Sequence, residues 1–198
     1  MCWSRGGLRG LTAFPVVLLG VLVPALVSAQ PSAAAVSLSY TYLRDPDADR
    51  SYAAGASVGA SARLAGWLAV AAEVAVATAG EDFASTGGGT YDFHYESIQA
   101  GPRLAPASDR VRPYVELLAG ATRWRIRERR LNPGGWESVT SFSLQPGAGI
   151  DLFFAPRAAL RVAGDLRVLF KHDNRFDEDY RSILYRAQAG ISVHFGAP

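Results

Sequence analysis

Apolar and polar side chains alternate along most of the chain beyond residue 35. Val36, Leu38, Tyr40 and Tyr42 are separated by Ser37, Ser39 and Thr41. Successive side chains of a strand point to opposite faces, so this spacing predicts a strand with one apolar face. Seven further segments repeat the pattern, over about 52–64, 67–77, 91–104, 111–123, 141–154, 158–171 and 182–195. In the last of them Ile183, Tyr185, Ala187, Ala189, Ile191, Val193 and Phe195 oppose Arg186, Gln188, Gly190, Ser192 and His194. No segment sustains a 3.6-residue period. The Ala-rich stretch 69–79 has high helix propensity, but Val70, Val74 and Val76 within it favour a strand.

The connections predicted between these segments are unequal. Those at 65–66, 105–110 and 155–157 are short, and those at 44–51, 78–90, 124–140 and 172–181 are long. Short turns at one end and long loops at the other are how outer-membrane barrels connect their strands. An even strand number suits closure, which lipid demands because an open edge leaves backbone groups unpaired. The predicted fold is all-β, an eight-stranded antiparallel up-and-down transmembrane barrel.

Periodicity alone does not say which face is inside. A soluble barrel buries its apolar face, whereas a membrane barrel turns it outward around a polar interior. The polar faces carry Glu73, Asp165 and Arg167 near mid-strand, Arg186 on the last strand, and Arg103, Glu116, Asp151, Arg161 and Arg63 lower down. Both signs are present, so an interior charge network can pair; an unpaired buried charge would be very costly. Tyr40, Tyr42, Tyr52, Phe142, Phe170 and Tyr185 are expected near one membrane surface, and Phe154 and Phe195 near the other, as aromatic girdles. Glycines on the polar faces, among them Gly101, Gly120 and Gly149, fit a lumen with little room.

The N-terminus changes the boundaries. Arg5 and Arg9 precede an apolar run over 14–27, and Val27-Ser28-Ala29 offers a cleavage site. Residues 1–29 therefore read as a signal peptide and 30–198 as the barrel domain. Removal takes away two of the 20 basic side chains, none of the 18 acidic ones, and the only cysteine. The remaining charges balance, so no excess points to nucleic acid, and thiolate metal sites are excluded. No cofactor or metal is expected. The run 45–49, with Asp45, Asp47 and Asp49, lacks the glycine and distal glutamate of a calcium loop, where Arg50 and Ala56 stand instead.

Gln188-Ala-Gly190-Ile-Ser-Val193-His-Phe195 resembles the C-terminal signal read by the outer-membrane barrel assembly machinery. Gly101-Pro102-Arg103-Leu104, followed after a short turn by Arg112-Pro113-Tyr114-Val115-Glu116, is similar to the fourth and fifth strands of OmpA-like outer membrane protein β-barrel domains. The resemblance spans about residues 34–195. It implies an outer-membrane location and assigns Gln188, Gly190, Val193 and Phe195 to assembly.

For activity, the residues favour a structural or surface-interaction barrel with a filled, salt-bridged interior. The alternatives are a narrow porin-like channel for small polar solutes, a lipid-modifying enzyme and a soluble secreted barrel. Arg123, Arg125, Arg127 and Arg129 share the outward parity of Leu117, Ala119 and Ala121, so an extended fifth strand would set them at lipopolysaccharide-phosphate height; the alternative is solvated loop charge. Ser192 and His194 share a face, but an inward one, so no catalytic residue is assigned. Lipopolysaccharide or other outer-membrane lipid is the expected partner.

Overall fold

The computed structural model describes residues 34–83, 89–106, 110–128, 135–173 and 178–196. The proposed signal peptide and Arg129 lie outside them. Eight strands follow in order: β1 (Ala34–Asp45), β2 (Arg50–Ala65), β3 (Leu68–Phe83), β4 (Gly89–Leu104), β5 (Val111–Glu128), β6 (Glu137–Ala155), β7 (Ala158–Asp173) and β8 (Glu178–Phe195). Each pairs antiparallel with its sequence neighbours, and β1 pairs with β8 from Ala34–Phe195 to Arg44–Tyr185, closing the barrel. No sheet edge remains, so the ladder itself satisfies the backbone.

The apolar face is the outer one. Leu38 is 62% exposed and Leu117 49%, while Arg167 is fully buried. Leu160, Val162, Ile183 and Ile191 continue the exposed apolar belt. Patches of this extent are foreign to water-facing surfaces. On β6 the belt runs from Phe142 to Phe154, roughly 40 Å of strand at ~3.4 Å per residue. At a tilt of about 40° this is roughly 30 Å of height, enough for a hydrocarbon core. Tyr40, Tyr42, Phe142 and Tyr185 are exposed at one end of it, with Phe170 packed on Phe142 at 5.8 Å between ring centroids. Phe154, Phe195 and Trp67 are exposed at the other.

Two expectations require correction. Tyr52 is fully buried inside the barrel and takes no part in the outer girdle. The cause is a bulge: Thr41 pairs with Gly55 but Leu43 pairs with Tyr52, so β2 carries one extra residue and its parity inverts. The long connections are also shorter than predicted. The loop expected over 44–51 is a turn of four residues, 46–49, closed by Asp49 N–H to Pro46 O at 3.3 Å. Asp45 Oδ1 accepts the N–H groups of Asp47 and Ala48 there, and Asp49 adopts φ 49°. This use of an aspartate to mimic a backbone turn accounts for the acidic run without a cation. Likewise β5 and β6 extend through much of the region predicted as their loop.

Candidate functional site

The lumen is layered. Toward the short-turn end, two ion pairs arise directly across hairpins. Arg103 and Glu116 are ladder partners on β4 and β5, and Arg103 Nε and Nη2 both donate to Glu116 Oε2, at 2.8 and 2.6 Å. Arg161 and Asp151 are partners on β7 and β6, joined by two parallel bonds of 2.8 and 2.9 Å, while Arg161 Nη1 reaches Ser37 Oγ at 3.0 Å. The parallel, charge-assisted form is the strong one. Tyr114 lies beside both guanidinium groups, with Arg103 4.4 Å and Arg161 5.1 Å from its ring centre. Room for that ring comes from Gly149, where a Cβ would stand 2.5 Å from the Tyr114 Cζ.

The middle layer crosses the lumen. Glu73 on β3 accepts Arg186 Nη1 at 2.6 Å, Arg167 Nη2 at 3.5 Å and Gln188 Nε2 at 3.2 Å. Asp165 accepts Arg186 Nε at 2.8 Å. Arg167 also donates to Ser97 Oγ and Gln145 Oε1, each at 2.6 Å, and to the Tyr95 hydroxyl. The eight residues expected inside, Glu73, Arg103, Glu116, Asp151, Arg161, Asp165, Arg167 and Arg186, thus stand in the lumen as four carboxylates and four guanidinium groups. Each has an opposite partner.

Above this layer the interior turns apolar, which the sequence reading missed. Leu43, Tyr52, Phe93, Tyr95, Trp124, Leu169 and Leu184 form a buried cluster inside the barrel. Trp124 meets Tyr52 and Tyr95 edge-on, at centroid distances of 5.6 and 5.1 Å. The available signal was leucine on polar parity: Leu43 follows Thr41, Leu169 follows Arg167, and Leu184 precedes Arg186.

Ser192, His194 and Asp151 come together at the short-turn end without forming a catalytic relay. Ser192 Oγ lies 3.1 Å and Asp151 Oδ2 3.6 Å from the same nitrogen, His194 Nε2. A relay needs its acid on the other ring nitrogen, and there Arg112 Nη1 approaches Nδ1 at 3.3 Å. Since arginine only donates, Nδ1 is an acceptor. Ser192 is also fully buried.

On the outer wall, cross-strand rungs run from β3 to β6. Val74, Ile98, Ala121 and Phe142 form an apolar rung, and Val76, Glu96, Arg123 and Thr140 lie one step above. His94, Arg125 and Ser138 follow, and Asp92 and Arg127 come next. Arg125 pairs with Glu96 at 2.8 Å, and Arg127 pairs with Asp92 at 2.7 Å and lies over Trp136. Arg123 donates to Ser138 Oγ at 3.2 Å. A concavity of about 480 Å³ is framed by Val74, Val76, Ile98, Arg123 and Arg125. Along β8, Gln188 and Gly190 face inward while Val193 and Phe195 are exposed.

No protein-family model matches the chain, and no curated protein sequence matches it. Solved structures do share its architecture. Neisserial surface protein A (NspA) superposes with a TM-score of 0.62 at 15% identity, over 83% of this chain and 97% of that one. The outer membrane protein OprG of Pseudomonas aeruginosa gives 0.57 at 11%, over 84% and 97%. Ail, the attachment invasion locus protein of Yersinia pestis, in complex with the heparin analogue sucrose octasulfate, gives 0.53 at 19%, over 83% and 97%. Together with the closed antiparallel order of its eight strands, these superpositions show that the chain has the fold of the OmpA-like eight-stranded outer-membrane proteins.

Proposed function

We propose that the chain is a non-conducting barrel of the bacterial outer membrane with a structural or surface-interaction role. The observation that carries this reading is the filling of the lumen by two successive layers, one of cross-lumen ion pairs and one of packed aromatic and leucine side chains. A solute would have to break both. In planar bilayers the full chain is expected to leave conductance at the lipid baseline; discrete openings would instead favour a narrow channel.

The partner that suits the outer wall is lipopolysaccharide. Arg125 and Arg127 are offset by Glu96 and Asp92, so Arg123 supplies the net cation, directly above the apolar rung. An acyl chain fits against Val74 and Ile98 while a phosphate meets Arg123. Arg123→Ala is expected to lower lipopolysaccharide retained on purification more than an Arg125→Ala/Arg127→Ala pair. Unchanged retention in both variants would refute the assignment. Gln188, Gly190, Val193 and Phe195 fit a role in recognition by the assembly machinery, since their strand forms the closing seam with β1. Phe195→Ala is expected to reduce the heat-modifiable, folded fraction in cells but not in vitro.

A further inference from the structure

At the short-turn end the lumen opens into a vestibule of about 40 Å³ to which all eight strands contribute, from Ala35 on β1 to His194 on β8. Its charged walls are Arg63, Arg103, Arg112 and Arg161 against a single carboxylate, Asp151. Glu116 stands behind Arg103, and even with it included cations exceed anions among the described residues. Deeper in the lumen the four groups around Glu73 balance. Among the described residues of the lumen, the excess therefore lies at the mouth.

The donors are unequally engaged. Arg161 has committed Nε and Nη2 to Asp151 and Nη1 to Ser37. Arg103 gives Nε and Nη2 to Glu116, which leaves Nη1 without a hydrogen bond among the described residues. Arg63 is half-buried and makes no hydrogen bond or ion pair with any described residue. The ladder places Arg63 opposite Ala69 on β3, and Ala69 opposite Arg103 on β4. Two arginines thus share one inward rung with only a methyl group between them. Their strands are two spacings apart, roughly 10 Å. Glu116 offsets Arg103 but leaves Arg63 uncompensated on this rung, and a small oxyanion accepting from both guanidinium groups would supply the missing negative charge.

The geometry points to a binding site for an oxyanion of the phosphate class in this vestibule, held by Arg63 and the remaining Nη1 of Arg103. The size agrees. A site for a single water needs only about 10–15 Å³, so a vestibule of about 40 Å³ has room for a small tetrahedral oxyanion. Guanidinium forks match phosphate oxygens. The source is either free inorganic phosphate or the headgroup of a phospholipid at the barrel rim.

Two arms separate these sources. Inorganic phosphate is titrated calorimetrically into the folded full chain in zwitterionic micelles at fixed ionic strength. Phosphatidylglycerol nanodiscs carrying the chain are read by phosphorus NMR. One saturable equivalent is expected in at least one arm, weakened at least tenfold by Arg63→Gln and unchanged by Arg157→Gln on the exposed β6–β7 turn. Arg63→Lys keeps the charge but loses the fork, and is expected to bind at intermediate strength. Heat-modifiable migration verifies the fold of each variant. Absence of a saturable response in both arms overturns the proposal. So does equal binding by Arg63→Gln and the parent, or an equal loss in Arg157→Gln, which would place the phosphate on the outer rim.

Discussion

Glu73→Gln isolates the energetic role of the middle layer. Arg186 would keep Asp165, 2.8 Å away. Arg167 would not be so placed: Glu73 is its one carboxylate partner among the described residues, and its remaining bonds go to the neutral Tyr95, Ser97 and Gln145. Arg167 is fully buried, so solvent does not screen the loss. Removing one partner of a buried pair costs about 3–5 kcal/mol, and glutamine retains an acceptor oxygen, so the lower end, about 3 kcal/mol, is expected. That is a shift of about 150-fold in the folding constant, at tenfold for every ~1.4 kcal/mol. Urea unfolding in micelles, followed through the fluorescence of Trp124 between Tyr52 and Tyr95, measures it. The double variant Glu73→Gln/Arg167→Met should recover at least half of the loss, because deleting both members of a buried pair is often close to neutral. A single variant costing less than 1 kcal/mol, or a double variant no better than the single, would refute the claim that Arg167 depends on Glu73.

Three further outcomes test the layers separately. Ala148→Arg, midway along the exposed face of β6, is expected to cost about 2–4 kcal/mol in bilayers, and Thr140→Arg near the polar boundary about 0–1; equal values would contradict a lipid-facing wall. Trp124→Ala should cost about 3–5 kcal/mol of unfolding free energy as a large-to-small change in packed surroundings. It should leave bilayer conductance at baseline, since the ion-pair layer below still closes the lumen. Gly149→Val drives a side chain into the Tyr114 ring and is expected to cost about 1–3 kcal/mol, seen as a lower urea midpoint that Tyr114→Leu restores.

The strands were legible as period-two alternation, because lipid on one side and a narrow lumen on the other impose opposite demands on successive residues; the even strand number pointed to closure, and the charges of both signs at mid-strand gave the direction of the apolar face. Three of the ion pairs were legible in principle too. Arg103–Glu116, Asp151–Arg161 and Asp165–Arg186 are ladder partners, and a hairpin register assigns such pairs. Glu73 with Arg167 and Arg186 was not, since those contacts join non-adjacent strands or cross the lumen and depend on how the whole barrel closes. The inward turn of Tyr52 was hidden because Ala53 and Ala54 are both apolar, so the extra residue of the bulge left no break in the pattern. Strand ends such as Trp124–Glu128 are not legible because alternation loses its meaning beyond the hydrocarbon, although backbone pairing continues there.

The layered lumen also ties stability to closure. An up-and-down barrel has no second sheet to pack against, so beyond its ladders the contacts that join distant strands must pass through the interior. Among them are Glu73 to Arg167 between β3 and β7, Arg167 to Ser97 between β7 and β4, Arg161 to Ser37 between β7 and β1, and Gln99 to Ser143 between β4 and β6 at 2.7 Å. Glu73–Arg167 and Arg167–Ser97 brace opposite walls and block the axis at that height, whereas the other two bridge over one intervening strand. A substitution that widens the path for solutes therefore removes a brace, and the nearest remaining partner is left as a buried, unsatisfied group. A strut across the axis thus sets conduction against folding, which supports the proposed surface role, since exposed side chains can change there without touching a strut.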